Sequence, residues 1–225
     1  MPKGEVLPVT GDIRAIYGRL SRFYGIIEER LQRRLRQRGL ELLGVREGES
    51  VLEIGFGTGC ALLEIAGRAG SSGRVCGLDL TQEMVVRAER RLEKHGLAGK
   101  VELHEGDARR MPFQDGRFDA VYMAAALELF DTPDIPLVLG EIRRVLKSGG
   151  RLGLSSMPKE GHEGSLVWRL YEWLHRALPQ IASCRPIYVE DSVGSAGFEI
   201  DTAEELKVAG IFPMKVLLAR PAGPG

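Results

Sequence analysis

Apolar positions along this chain keep two alternating rhythms. Short apolar runs occur at Val51 to Ile54, Arg74 to Leu80 and Phe118 to Ala124, as expected of strands buried on both faces, and Lys100 to Asp107 and Arg151 to Ser156 read as two further strands. Between them lie segments with helical spacing. One runs from Cys60 to Ala69. A second carries Met84, Val85, Ala88 and Leu92 on one side, with Thr81 placed as its N-cap and Gly96 as its stop, and a third covers Thr132 to Leu146. Strands alternating with helices imply a parallel sheet with right-handed crossovers and helices on both faces. Ligands of such sheets bind beyond the carboxyl ends of the strands.

The two ends of the chain depart from this alternation. Residues 1 to 11 are broken by Pro2, Gly4, Pro8 and Gly11. From Asp12 to Leu43 the pattern turns helical, with Ile13, Tyr17, Leu20 and Tyr24 on one face. Ile27, Leu31 and Leu35 follow on a second segment for which Gly39 offers a stop. That segment is basic: Arg30, Arg33 and Arg36 lie away from its apolar stripe, and Arg34 and Arg38 border it. It suits a solvated face packed on the main domain or a peripheral contact with a membrane surface. After the fifth strand, Leu166, Trp168, Leu170, Tyr171, Trp173, Leu174 and Leu178 predict an aromatic helix holding both tryptophans, suited to a lid over an apolar acceptor. A short helix ending near Gly197 and a strand pair, Glu199 to Lys207 and Met214 to Arg220, close the chain. The division expected is an N-terminal helical cap over 1–45 and one domain over 46–225.

Glycines concentrate where the first strand ends, in Glu53-Ile54-Gly55-Phe56-Gly57-Thr58-Gly59. Without a Cβ, such a turn takes conformations closed to other residues and lets backbone lie against a ligand, while the following helix presents unpaired N–H groups to the same space. A dinucleotide fingerprint requires its third glycine one place later, where Cys60 stands. A carboxylate at Glu53 would repel a pyrophosphate but suits a ligand with a cationic amine or sulfonium and neutral hydroxyls. Asp79 ends the second strand beside this loop, where two oxygens suit the two hydroxyls of a ribose. Asp107-Ala108 ends the third, and Asp107 suits an adenine amine or a turn. Met84 suits an adenine face or the core.

Taken in order, Glu53 to Gly59, Gly77-Leu78-Asp79, Gly106-Asp107-Ala108 with Met111-Pro112-Phe113, Phe118-Asp119-Ala120-Val121 and Leu146 to Leu152 resemble class I S-adenosylmethionine-dependent methyltransferases. Within that class the likeness is to the menaquinone and ubiquinone biosynthesis branch and related phospholipid N-methyltransferases, over about Tyr17 to Arg220. The resemblance implies a Rossmann-like, doubly wound α/β sheet of seven strands in the order 3-2-1-4-5-7-6 with the last antiparallel. It also implies S-adenosylmethionine as cofactor. The implied cofactor residues are Glu53, Gly55, Phe56, Gly57, Thr58, Gly59, Asp79, Leu80, Met84, Asp107, Ala108 and Ala124, with Tyr24 covering the site. Tyr17, Glu128, His162, Trp168 and Tyr171 are the candidate acceptor contacts. Three departures stand out. Ser148 replaces the usual proline before Gly149-Gly150, Tyr17 and Tyr24 are each followed by glycine, and Ala126 to Phe130 replaces the polar tip of the quinone enzymes.

Methyl transfer from a sulfonium expels a neutral thioether, so alignment and desolvation supply much of the catalysis. A base is needed only where the acceptor loses a proton; Glu128, Tyr122, His162 and His175 are candidates, each with a structural role as the alternative. His104 reads as structural. With 31 basic and 31 acidic residues the net charge recruits no nucleic acid. Cys60, Cys76 and Cys184 lack metal-ligand spacing, and Cys60 and Cys76 read as core. Neither a bilayer-spanning run nor a secretory h-region is present, so a cytoplasmic protein, peripheral to a membrane through its basic helix and monomeric or homodimeric, is expected. The competing readings are a nicotinamide oxidoreductase, which lacks its third glycine and any Tyr-x-x-x-Lys pair here, and a catalytically silent module.

Overall fold

The computed structural model describes residue 6 and residues 32–177 and 184–223. Tyr17, Tyr24, Arg30 and Leu178 lie outside the described residues. Seven strands, β1 (Ser50–Ile54), β2 (Arg74–Asp79), β3 (Val101–Glu105), β4 (Phe118–Ala124), β5 (Leu146–Ser156), β6 (Phe198–Val208) and β7 (Phe212–Pro221), form one sheet in the order β3-β2-β1-β4-β5-β7-β6. β1 to β5 pair in parallel, and β7 runs antiparallel to both β5 and β6. Helices α1 (32–43), α2 (Cys60–Ala69), α3 (Gln82–Lys94), α4 (Ile135–Val145), α5 (Leu166–Ala177) and α6 (Val189–Ser195) complete it. This is the expected doubly wound architecture.

Alternation along each strand divides the core between the two faces of the sheet. Val51 and Tyr122 pack with α2 and α3, whereas Leu52, Ile54, Val121 and Met123 pack with α4 and α6. α1 joins the first face through Leu40 and Leu43, while its Leu35 packs with Trp168 of α5 and Met214 of β7. Two of its four arginines are tethers, Arg36 pairing with Glu64 of α2 at 2.8 Å and Arg38 with Glu204 of β6 at 2.6 Å, while Arg33 and Arg34 are exposed.

Several local expectations are corrected. Gly39 lies inside α1 and does not end it. A Cβ there would stand 2.7 Å from the Tyr122 hydroxyl, so bare backbone is what lets α1 close on the sheet. Thr81 stands at the N-cap of α3, but its side chain makes no cap bond; the hydroxyl donates to Asp79 Oδ1 at 3.2 Å. Gly96, with φ +71, does close α3: its N–H and that of Leu97 reach the carbonyls of Glu93 and Leu92, a Schellman arrangement. α4 begins at Ile135 because Pro133 disfavours helical backbone at Thr132 and Pro136 fits the first turn. β5 starts at Leu146, pairing with Phe118, and takes in the Gly149-Gly150 turn across a register shift. Cys76 is buried, but Cys60 is half-buried and receives the Arg91 guanidinium on its sulfur.

Candidate active site

Five segments meet at the carboxyl edge of the parallel strands. The loop after β1 holds Gly55, Gly57 and Gly59 at φ +68, +52 and +79, all left-handed. Gly55 and Gly59 are further constrained by packing. Cβ atoms there would lie 2.7 Å from Ala126 Cβ and 3.0 Å from Ala88 Cβ. A Cβ on Gly57 would meet nothing within 4 Å, so the middle of the loop borders open space. The N–H groups of these three glycines are spent within the protein, on the Leu78 carbonyl, Asp79 Oδ2 and the Phe56 carbonyl, so the loop offers a ligand the close approach of bare backbone. Phe56 contributes backbone only, because its ring packs into the core over Gly77 of β2. Thr58 Oγ1 lies 3.7 Å from Cys60 Sγ.

Glu53 sits one residue before the end of β1, beside Tyr122 in register. It is 5% exposed, and its Oε2 has no hydrogen-bond partner. Burial drives its carboxyl well above the ordinary range, with Arg36 opposing and Asp79 and Glu64 reinforcing. An orphaned buried carboxylate oxygen beside an open glycine loop suits a ligand ammonium. Asp79 Oδ2 accepts the Gly57 N–H at 2.9 Å, and Oδ1 accepts the Thr81 N–H at 3.1 Å. Its carboxyl is raised by burial, against the pull of those amides. Leu80 follows, half-buried.

At the tip of β3, Asp107 is held by Arg109, whose Nη2 donates to Oδ2 at 2.6 Å and whose Nη1 reaches Asp134 at 2.7 Å. Asp107 therefore also fills the turn-forming role read as its alternative: the Arg109 N–H donates to Oδ1 at 2.9 Å. The side chains of Ala108 and Met84 are buried in the core, on opposite faces of the sheet. Ala124 ends β4 beside Ser155. Ala125 follows at φ +50, a strained conformation for a residue with a side chain, and it aims the next turn across the rim.

That turn carries Glu128, which is fully buried. Its Oε2 accepts Ser156 Oγ at 2.7 Å and its Oε1 lacks a partner. Burial pushes its carboxyl up to about 7, with the Ser156 hydroxyl opposing. Burial also raises the Tyr122 phenol, next to Glu53. The remaining described acceptor candidates, Trp168 and Tyr171 on α5 and His162 in the turn before it, pack on one another. Trp168 is buried with its N–H on the Pro158 carbonyl at 2.9 Å, and its ring meets those of Tyr171, Phe212 and His162. His162 Nε2 lies 2.8 Å from Glu205. Neither Trp168 nor His162 shares the orphaned state of Glu53 and Glu128. His175 is buried, and His104 packs edge-on against Phe113 as a structural residue.

Sequence reasoning missed Ser155, Ser156 and Arg185. The two serines end an apolar strand, which was a usable signal. Arg185, fully buried, stands in Cys184-Arg185-Pro186-Ile187 with no pattern around it. Among the described residues no cluster of metal-ligating side chains occurs, and no helix is long and apolar enough to cross a membrane.

A sheet in this order, with a glycine loop and acidic tips on β1 and β2, defines a class I methyltransferase fold. Residues 51–150 match the methyltransferase domain family, and the sheet has the fold of a solved S-adenosylmethionine-dependent methyltransferase. It is 31% identical over 144 residues to the demethylmenaquinone methyltransferase of Bacillus subtilis, covering 64% of this chain and 60% of that protein. Over 141 residues it is 36% identical to the ubiquinone/menaquinone biosynthesis C-methyltransferase of Cellvibrio japonicus, covering 62% and 55%. The matched region thus spans roughly three fifths of the length of these curated relatives. A solved S-adenosylmethionine-dependent methyltransferase from Aquifex aeolicus superposes with a TM-score of 0.61 at 24% identity, over 82% of this chain and 88% of that one. The cyclase SpnF superposes at 0.65 and 24% identity, over 84% and 82%. The same fold therefore also occurs in a protein described as a cyclase, and chemistry has to be argued from the site.

Proposed function

We propose that this protein binds S-adenosylmethionine across the carboxyl edge of β1, β2 and β3 and transfers its methyl group to a hydrophobic acceptor. The observation that carries the reading is Glu53: a buried carboxylate with a free oxygen, bordering an open glycine loop and one strand from Asp79. In this reading Glu53 receives the ligand ammonium, Gly55 to Gly59 lie against its methionine portion, and Asp79 takes the ribose hydroxyls. Asp107 and Ala108 border the adenine, and Ala124 borders the reacting carbon. The cofactor, when bound, supplies an electrophilic methyl on a sulfonium. The protein supplies alignment and a dry site, to which Glu128, Tyr122 and Ser155 bring the nearby polar groups.

Both curated relatives are named for quinone biosynthesis, which favours a quinone-related ring carbon over a phospholipid amine as the acceptor. α5 adds an exposed stripe on the side opposite Trp168: Leu166, Leu170 and Trp173 are 76%, 67% and 63% exposed. That face supports peripheral contact with the lipid surface from which such an acceptor is drawn. The test is radiolabelled methyl incorporation from S-adenosylmethionine into quinol precursors, phospholipids and lipid extracts. Label in a quinol precursor supports the reading, and label in phospholipid alone moves the acceptor. No label in any acceptor, with cofactor binding intact, would favour a reaction of the cyclase kind or a silent module.

A further inference from the structure

The turn after β4 and the segment before α6 bring two buried, oppositely charged side chains into each other's field without joining them. Glu128 and Arg185 are both fully buried. Glu128 spends Oε2 on the Ser156 hydroxyl at 2.7 Å and leaves Oε1 without a partner. Arg185 spends Nη1 on Thr132 Oγ1 at 3.3 Å and Nη2 on the Phe130 carbonyl, and leaves Nε without one. Each feels the charge of the other, and Asp131 also bears on Arg185, yet no direct ion pair joins them.

Burying a carboxylate and a guanidinium is costly, and the ordinary remedy is a two-pronged contact between them. Here that contact is not made. The strained Ala125 and the turn Leu127–Leu129 fix Glu128 against Ser156. Arg185 is fixed by the Phe130 carbonyl and by Ile187, whose N–H and carbonyl bond the Met157 carbonyl and Lys159 N–H as the chain leaves β5. What remains is one unmatched acceptor and one unmatched donor of opposite charge. A group that donates to the first and accepts from the second satisfies both, and a hydroxyl is the smallest such group. The position is also apt: Ala126, two residues before Glu128, is the neighbour that a Cβ on Gly55 would strike at 2.7 Å.

We propose that Glu128 and Arg185 form an acceptor-activating subsite for a phenolic or enolic hydroxyl. The inference rests on the methyltransferase reading and specifies its substrate class. The hydroxyl donates to Glu128 Oε1 and accepts from the Arg185 Nε–H. Its proton passes to Glu128, and the resulting oxyanion is held by Arg185. The oxyanion pushes its electron pair into the conjugated system, so that a new bond forms from the ring or enol carbon to the methyl carbon. The carbon–sulfur bond breaks with its pair left on a neutral thioether. The carbon that gained the methyl then loses its proton to water, and Glu128 returns the first proton to the oxygen. Near neutral pH the group is suited to such an exchange, since burial, opposed by the Ser156 hydroxyl, the nearby Glu128 and Met157 amides and, least, Arg185, holds it at about 7.

Calorimetry on the full-length protein saturated with S-adenosylhomocysteine tests this with 2-naphthol and 2-methoxynaphthalene as probes. The naphthol is expected to bind at least about 10-fold tighter than its ether. In Glu128→Gln the unmatched oxygen becomes an NH2 donor, and the preference should shrink to within about 2-fold. Arg185→Lys, which keeps the charge and a donor for the Phe130 carbonyl but lacks the Nε–H, should shrink it as well. Equal affinity for the two probes, binding of neither, or a preference unchanged in both variants overturns the subsite. Failure of the wild-type protein to bind S-adenosylhomocysteine would strike instead at the methyltransferase reading.

Discussion

Glu128→Gln removes one buried ionisable group while leaving shape and one hydrogen bond in place, since the amide oxygen accepts from Ser156 as the carboxylate does. In the wild-type protein burial raises this carboxyl from 4.5 to about 7. The folded state therefore holds a proton that the unfolded chain has released between those pH values. Stability from the protonated form is fully present below about pH 4.5 and is lost as pH rises through 7, so the slope is negative. At about 1.4 kcal/mol for each pH unit of separation, the whole effect is about 3 kcal/mol, of which about 2 to 3 falls between pH 5 and pH 8. Glu53, Asp79 and Glu160 are also raised, while Glu49, Glu102, Asp119 and Glu141 are lowered. These contributions are common to both proteins and cancel in the difference. Urea unfolding at half-unit pH steps should show equal stability near pH 4 and a variant more stable by about 3 kcal/mol at pH 8. Curves that stay parallel across the range would mean that Glu128 is not a buried, proton-holding carboxyl.

The glycine loop separates strain from ligand contact. Gly57→Ala meets no neighbour and should cost only about 1 kcal/mol of stability for its left-handed backbone, whereas Gly59→Ala also drives a methyl against Ala88 and should cost about 2 to 3 kcal/mol in thermal unfolding. Equal costs would remove the packing argument. Asp79→Ala should weaken S-adenosylhomocysteine by at least about 1.5 kcal/mol in calorimetry through lost charge-assisted bonds, and an unchanged affinity would take Asp79 out of the site. Trp173→Ala should reduce co-sedimentation with vesicles containing quinone and anionic lipid several-fold without changing cofactor affinity. A wild-type protein that never sediments would discard the lipid surface as a partner.

The sequence carried the sheet because its signals are local. Apolar runs of strand length, glycines at every other position after β1 and carboxylates at strand tips all lie within a few residues of one another. The strand–helix alternation and the acidic rim could be read from them, with the resemblance supplying the strand order and the antiparallel β7. What was hidden depends on contacts between distant segments. Gly39 looked like a helix stop because a glycine inside a helix costs about 1 kcal/mol, and only the Tyr122 ring above it explains its place. Thr81 has the side chain of a cap, but Asp79 competes for its hydroxyl. Glu128 was visible as a polar residue on an apolar tip. Its counterpart Arg185 was not, since no periodicity or motif links the turn after β4 to the segment before α6. Trp168 and Tyr171 looked like a lid, and the rings of His162 and Phe212 and the Pro158 carbonyl account for their packing.

Binding of the adenosyl ligand is the claim on which every other assignment depends. Titration of the full-length protein with S-adenosylhomocysteine, and separately with NAD, measures it without knowledge of the acceptor. Saturable binding of S-adenosylhomocysteine with a Kd below about 100 µM, and no heat from NAD, is the predicted result. Binding of NAD in preference to S-adenosylhomocysteine would contradict it.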